Sequence, residues 1–330
     1  MKSIFDQTKL GSLNVKNRLV RSATWEGMAN LDGSISDELI DIYENLAAGG
    51  VGTIITGFTS VASNDFYFDG MMRLSSDSEK VLTQYKKLVD KVHAHDVKIL
   101  AQLALGGFFE NGNLIEPDQI SEDQFEKIVE LFGDASRRAR DCGFDGVQIH
   151  AAHFFFLSRF ISPAVNHREN RIEILKRILQ KIRENAPELH VSMKLNSNDF
   201  TFGGLDENQS MEIAEVMTAE GLDSIEVSGN GTSVAGIRPG KNEGYFFEFA
   251  RDLSERISIP VILVGGHRSV EHMEKILNSS KIEFLSISRP LICEPNLINR
   301  WKSGDLKPSR CVSCNSCYQT QNHKCIFNLN

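Results

Sequence analysis

The chain has 330 residues, 41% of them hydrophobic, and carries 44 acidic against 36 basic side chains. A mildly acidic balance without a basic stripe argues against nucleic acid as a partner. Its apolar runs, such as Ile259 to Val264, are far too short to span a bilayer, and the opening MKSIFDQTKL lacks the apolar core of a secretion signal, so the sequence predicts a cytoplasmic protein. In chain order, a first β-type run covers Arg18 to Ser22 and leads into the small residues Ala23 and Thr24. A helix over Glu38 to Ala48 follows, with Leu39, Ile42, Tyr43 and Leu46 on one face. Thr53 to Gly57 is a second strand, and Val81, Tyr85, Leu88, Val89 and Val92 mark the next helix. Lys98 to Leu103 is a third strand, carrying Gln102. Ser121 with Gln124 reads as a capping box opening a helix that ends at Gly143. Strand Gly146 to His150, helix Glu169 to Asn185 and strand His190 to Leu195 come next. Asp206 with Gln209 starts a helix running to Gly221. Strands Ser224 to Gly229, Pro260 to Gly266 and Phe284 to Arg289, with a helix over Val270 to Leu277, complete the series.

Eight such strands alternating with helices predict a (β/α)8 barrel of the TIM type, a fold that takes ~250 residues. An open doubly wound sheet would alternate in the same way, but it gathers its ligand contacts at one switch point. Here chemistry-bearing residues close nearly every strand: Ser22, Gly57, Gln102, His150, Lys194, Ser228, Gly265 and Gly266, Ser288 and Arg289. In a closed barrel those ends share one mouth, where active sites are built. The expected organisation is one barrel domain over residues 1–305 and a short Cys-rich C-terminal tail over 306–330, lying outside the barrel.

The ends of the seventh and eighth strands often build a phosphate site in such barrels. Gly265 and Gly266 would let backbone N–H groups approach an anion, and Arg289 adds a charged fork. Lys194, in an apolar strand, alternates with Val191, Met193 and Leu195 and is expected on the lumen side. A buried lysine needs an anion, a carbonyl-rich ligand or Schiff-base chemistry. His150 and His153 close the fourth strand. They could bind a metal, although a catalytic zinc wants a third ligand. They could donate two N–H bonds to one oxygen as charge develops on it. They could also be plain structural histidines. Trp25, Phe108 and Phe155 suggest a pocket for an apolar planar guest.

These motifs resemble the Old Yellow Enzyme family of FMN-dependent NAD(P)H oxidoreductases. The resemblance rests on Asn17-Arg-Leu-Val-Arg-Ser22-Ala-Thr, Gly143-Phe-Asp-Gly-Val-Gln-Ile-His150-Ala-Ala-His153, Phe160-Ile-Ser-Pro-Ala-Val-Asn166-His-Arg168, and the Gly265-Gly266 and Ser288-Arg289-Pro-Leu segments. It implies that FMN fills the barrel mouth and NAD(P)H supplies hydride. Ser22, Ala23 and Thr24 would line the flavin edge, Gly57 would pack beside the ring and Gln102 would bond its pyrimidine. Lys194 would meet the N1 and C2 carbonyl region. Gly266, Ser288 and Arg289 would hold the phosphate, with Gly229 and Gly265 also at the cofactor. His150 and His153 would bind the oxygen of a small-molecule oxidant: an enone, carbonyl, nitro compound or quinone.

The sequence departs from that pattern in places. Phe155 stands where the family usually carries a proton-donating tyrosine, and Leu103-Ala-Leu105-Gly-Gly-Phe108 replaces a polar segment. Glu169 follows Asn166-His-Arg168 directly, so a loop near the mouth is shorter, and Trp25 replaces a cysteine of some relatives. No metal is assigned. Cys311, Cys314, Cys317 and Cys325 are candidates only, because dienoyl-CoA reductases of this family hold an iron–sulfur cluster at wider spacing, followed by a second flavin domain that is not expected here. Two other readings remain at this stage: a flavin-holding protein with little turnover, and a phosphate-binding Schiff-base lyase using Lys194. A homo-oligomer is compatible with the sequence but not specified by it.

Overall fold

The computed structural model describes residues 1–65, 69–231 and 233–329. Eight parallel strands make the barrel: β1 (Leu19–Arg21), β2 (Thr53–Ile55), β3 (Lys98–Ala104), β4 (Gly146–Ala151), β5 (His190–Asn196), β6 (Ser224–Ser228), β7 (Val261–Val264) and β8 (Phe284–Ile287). Each pairs with the next in chain order and β8 pairs back with β1, so the sheet closes. The helices that cover it include α1 (Asp37–Ala48), α2 (Glu79–His93), α3 (Glu122–Asp141), α4 (Glu173–Asn185), α5 (Glu207–Ala219), α6 (Phe247–Arg256) and α7 (Val270–Ser279).

Local chemistry sets these boundaries. Ser121 and Gln124 form the capping box of α3, and Asp206 and Gln209 form that of α5. Gly143 ends the α3 segment at φ +88°, a conformation that costs a side chain energy. The helix expected from Glu169 begins four residues later, at Glu173. Arg171 is drawn instead to the carbonyls of Ile161 and Arg168, at 3.2 and 2.8 Å.

The strands look uniformly apolar in sequence but sort their side chains by alternation. Val147, Ile149, Val191, Met193, Ile225, Val227, Leu263, Leu285 and Ile287 join the main core beneath the helices. The lumen is divided in two. At the N-terminal end of the strands, Val20, Ile55, Leu100, Ile262 and Phe284 pack with Leu10 and Val15. The last two belong to an antiparallel hairpin, Thr8–Leu10 with Leu13–Val15, which plugs that end with apolar surface. Toward the C-terminal end the lumen is polar, and the candidate site lies there.

Candidate active site at the barrel mouth

Side chains that bridge strands not adjacent in the sheet must point into the lumen. Glu226 of β6 does this in three directions: it accepts from Ser22 beyond β1 and Ser286 of β8, each at 2.7 Å, and from Gln148 of β4 at 2.9 Å. Lys194 of β5 stands 3.1 Å from Glu226 Oε2 and donates to Ser22 Oγ at 3.0 Å. Gln102 donates to Gln148 at 2.8 Å and extends the network to β3. Burial works against the charge on Glu226, but Lys194 and the hydrogen bonds from Ser286, Ser22 and Gln148 outweigh it and hold the carboxyl below its usual range.

Above this layer β4 ends in a tight turn. His153 and Phe154 both take positive φ, +65° and +59°. Two consecutive non-glycine residues in that region cost about 1–3 kcal/mol each, so the surroundings must hold them. The backbone N–H of His153 donates to Asn196 Oδ1 at 3.2 Å, and that of Phe154 to Ser158 Oγ at 3.3 Å. The turn places the His150 and His153 rings edge to face, centroids 5.1 Å apart. His153 Nε2 lies 2.8 Å from Ser228 Oγ, while the buried His150 Nδ1 meets no hydrogen-bond partner among the described residues. Burial, with the nearby Lys194 charge, pushes His153 down to about 3. Burial, His153 and Lys194 push His150 well below the ordinary imidazole value. Both rings are neutral at physiological pH, so each offers one N–H donor.

A cavity opens here. It encloses about 570 Å³ of space, part of it open to solvent. One end is lined by Ser22, Ala23, His153 and Lys194, the other by Gly266, Arg268, Ser288 and Arg289. Gly265 and Gly266 lie just beyond β7 at φ +134° and +79°, so these positions favour glycine for backbone reasons. Several expected residues, His150 and Gly265 among them, are not part of this lining. Thr24 is close by, bonded to Ser288 Oγ at 2.8 Å. Gln102 lies deeper in the lumen network. Gly57 and Gly229 have packing reasons: a Cβ would stand 2.4 Å from the Thr24 carbonyl at the first and 2.7 Å from the Phe246 ring at the second.

Of the expected pocket aromatics, Phe155 packs on His150 at 4.9 Å and on Phe58 at 4.9 Å, and Trp25 joins the same apolar cluster with Met71 and Ala104. Phe108 does not join them. It opens a small hairpin (Phe108–Glu110 with Asn113–Ile115) that turns its ring toward Phe156 and beneath Lys127 of α3. Sequence reasoning passed over Glu226 and Arg268. The signal for Glu226 was the same as for Lys194, a lone charge in a buried strand. Arg268 sits in the segment singled out for phosphate, yet only Arg289 was chosen from that region.

The tail does not stand clear of the barrel. Arg268 donates to the Cys311 carbonyl at 3.1 Å and to Ser313 Oγ at 2.5 Å, Arg289 donates to Asn315, and the His323 ring meets Trp25 at 4.7 Å. Cys311, Cys314, Cys317 and Cys325 line one hollow of about 310 Å³ together with apolar side chains. Among the described residues, no three His, Cys, Asp or Glu side chains converge as a metal-binding group. No helix among the described residues is long and apolar enough to cross a membrane.

A closed parallel barrel with a lysine-bearing polar lumen, neutral histidines and a glycine–arginine anion end defines a ligand-binding barrel of the cofactor-anchoring kind. The chain belongs to the NADH:flavin oxidoreductase / NADH oxidase family, which it matches over residues 3–118 and 108–307, and this is the Old Yellow Enzyme family that its motifs resemble. It is 28% identical to NADH oxidase of Thermoanaerobacter brockii over 95% of this chain and 53% of that protein. It is 27% identical to 4,4'-dithiodibutanoate disulfide reductase of Rhodococcus erythropolis, over 96% of this chain and 93% of that one. The chain thus spans about half the length of some relatives and nearly all of others. The fold matches that of 2-naphthoyl-CoA reductase with a TM-score of 0.84 at 22% identity, over 93% of this chain and 53% of that one. The cofactor of the family is FMN, and the donor set here fits it: an anion end, a cation at the lumen, and a buried histidine nitrogen left open.

Proposed function

We propose that this chain is an FMN-dependent NAD(P)H oxidoreductase acting on a small apolar oxidant. The cavity running from Lys194 and His153 to Arg268 and Arg289 carries the proposal. FMN when bound supplies the hydride chemistry, and the protein supplies binding, orientation and electrostatics. Gly266, Ser288 and Arg289 would take the phosphate, joined by Arg268. Ser22, Ala23 and Lys194 would border the ring, with Gln102 reaching it through Gln148. His150 and His153, both neutral, would donate to the oxygen of an enone, carbonyl, nitro compound or quinone and stabilise charge arriving there. Phe155 has no proton to give, so oxidants that need none from the protein at carbon, quinones and nitro compounds, are favoured over enones. A Schiff-base role for Lys194 fits less well, because its Nζ is held by Glu226 and Ser22 and is not a free amine.

In this reading the barrel over residues 1–305 carries the cofactor and the tail over 306–330 covers its phosphate end. The six unpaired cysteines suit a reducing, cytoplasmic setting. The acidic balance, 44 against 36, is no surface for nucleic acid, and a homo-oligomer remains compatible with this reading. The test is to load purified protein with FMN, mix it anaerobically with NADH or NADPH, and add oxidants. We expect a yellow protein that bleaches within seconds and regains its colour faster with a quinone than with an enone. Protein that takes up no FMN overturns the assignment.

A further inference from the structure

Glu226 is a charged lumen residue to which the proposed chemistry gives no role. It is fully buried, and it is the register partner of Lys194 on the neighbouring strand. Its oxygens are completely engaged: Oε1 by Ser22 and Ser286, Oε2 by Gln148 and Lys194. A carboxylate offers about four acceptor sites, and here each has its donor. It therefore has no free lone pair for a ligand and cannot turn without breaking several bonds. Lys194 differs: it is equally buried, yet it borders the cavity.

We infer that Glu226 is the positioning residue and internal counter-ion of Lys194, fixing where the ammonium stands and how much positive charge it presents to the cofactor, and so setting the cofactor's reduction potential. The inference rests on the FMN reading above. Uptake of two electrons and one proton makes the cofactor more negative by one charge. A lysine beside it without a counter-ion would favour that state strongly, and a carboxylate at 3.1 Å weakens the pull. The chain Gln102 to Gln148 to Glu226 ties the same carboxylate to a second residue expected at the pyrimidine end. Filling space does not explain the pair. The other half of the lumen is packed with Val20, Ile55, Leu100, Ile262 and Phe284, and a buried ion pair is weak support for stability compared with such packing.

The experiment is a spectroscopic redox titration, against a reference dye, of FMN-loaded wild type, Glu226→Gln, Glu226→Asp and Lys194→Gln. In Glu226→Gln the equilibrium constant for two-electron reduction should rise at least tenfold, which is about 30 mV for a two-electron couple. Lys194→Gln should move it the other way, and Glu226→Asp, which keeps the charge, should stay within threefold of wild type. If Glu226→Gln does not fold, Lys194→Gln and Lys194→Gln/Glu226→Gln carry the test. The double variant buries no charge, and its constant should exceed that of Lys194→Gln by tenfold. FMN bound in every variant with an unmoved potential overturns the role of Glu226 and leaves the functional assignment standing. Failure of the wild type to take up FMN overturns the assignment itself.

Discussion

Two glutamates lie buried on opposite sides of β1, each beside a buried cation, and they have opposite acidities. Glu226, inside the lumen, is held below the usual carboxyl range. Glu26, between β1 and α1, is pushed up to about 7, by burial first and against the pull of Arg21 and Tyr43. The end of β1 supplies one residue to each cluster: Arg21, its last, to the helix side, and Ser22, the next in the chain, to the lumen. Number and closeness of donors make the difference. Glu226 has four partners at 2.7 to 3.1 Å, whereas Glu26 has Arg21 at 3.4 Å, the Tyr43 hydroxyl at 3.2 Å and a backbone bond from its own N–H. A nearby cation alone does not keep a buried carboxyl ionised. Hydrogen bonds that replace its lost hydration do.

The strongest way to break this contrast is to remove the cation from the well-satisfied side. Lys194→Met leaves Glu226 buried and uncompensated, and breaking such a pair from one side costs about 3–5 kcal/mol. Denaturant unfolding of the FMN-loaded protein should show a loss of that size. Lys194→Met/Glu226→Gln, which buries no charge, should recover at least half of it. A single variant as stable as wild type would mean that Glu226 gives up its ionisation at little cost, and the two clusters would then be alike.

The second test uses pH, because the buried groups act in opposite windows. Glu26 has a folded value of about 7 against 4.5 when free, so the folded state holds its proton more tightly. Its contribution is complete below 4.5 and is lost as pH rises through 7. His267, buried and bonded to the Leu263 carbonyl, sits at about 3 against 6.5, chiefly through burial, so its contribution is present above 6.5 and lost as pH falls toward 3. His150 and His153 act in the same direction as His267. Glu226, being lowered, favours folding above the free carboxyl value and ceases to as pH falls. Of these groups, Glu26 is therefore the one that destabilises the fold as the solution goes from mildly acid to neutral. Glu26→Gln should improve stability at pH ~8 relative to pH ~5 by on the order of 2 kcal/mol compared with wild type. Urea midpoints at the two pH values measure this. An unchanged difference would show that Glu26 titrates as an ordinary acid.

What could be read from the sequence follows the range of the interactions. Strand and helix periods, the two capping boxes and the inward aim of Lys194 depend on neighbours within a few residues, and all are present in the fold. Glu226 carried the same local mark in Ser224-Ile-Glu-Val-Ser228, but its meaning depends on Lys194 and on Ser22, 204 positions away, which only barrel closure brings together. The direction of Phe108 is set by a hairpin turn and not by a strand period, so the sequence does not show that its ring meets Phe156 and Lys127. The tail has no hydrophobic period to read. It reaches the mouth through contacts to side chains far away in sequence, Arg268, Arg289 and Trp25, and one sequence gives no sign of such pairings.

The finest test separates the two clusters by one hydroxyl each. Tyr43 Oη accepts the Gly57 N–H at 2.7 Å and donates to Glu26 at 3.2 Å. Tyr43→Phe removes both bonds. The unpaired N–H costs about 1–2 kcal/mol at any pH, and the lost donor raises Glu26 further, which matters only where Glu26 would otherwise ionise. The variant should therefore lose more stability at pH ~8 than at pH ~5. Ser286→Ala also removes one donor, from Glu226, and should cost about 1 kcal/mol. Ser22, Gln148 and Lys194 remain to keep Glu226 ionised, so that loss should be the same at both pH values. Equal pH dependence in the two variants would show that the count of donors does not distinguish the clusters. A pH-dependent loss in Tyr43→Phe alone would locate the difference in the side-chain hydroxyl that Glu26 has and cannot spare.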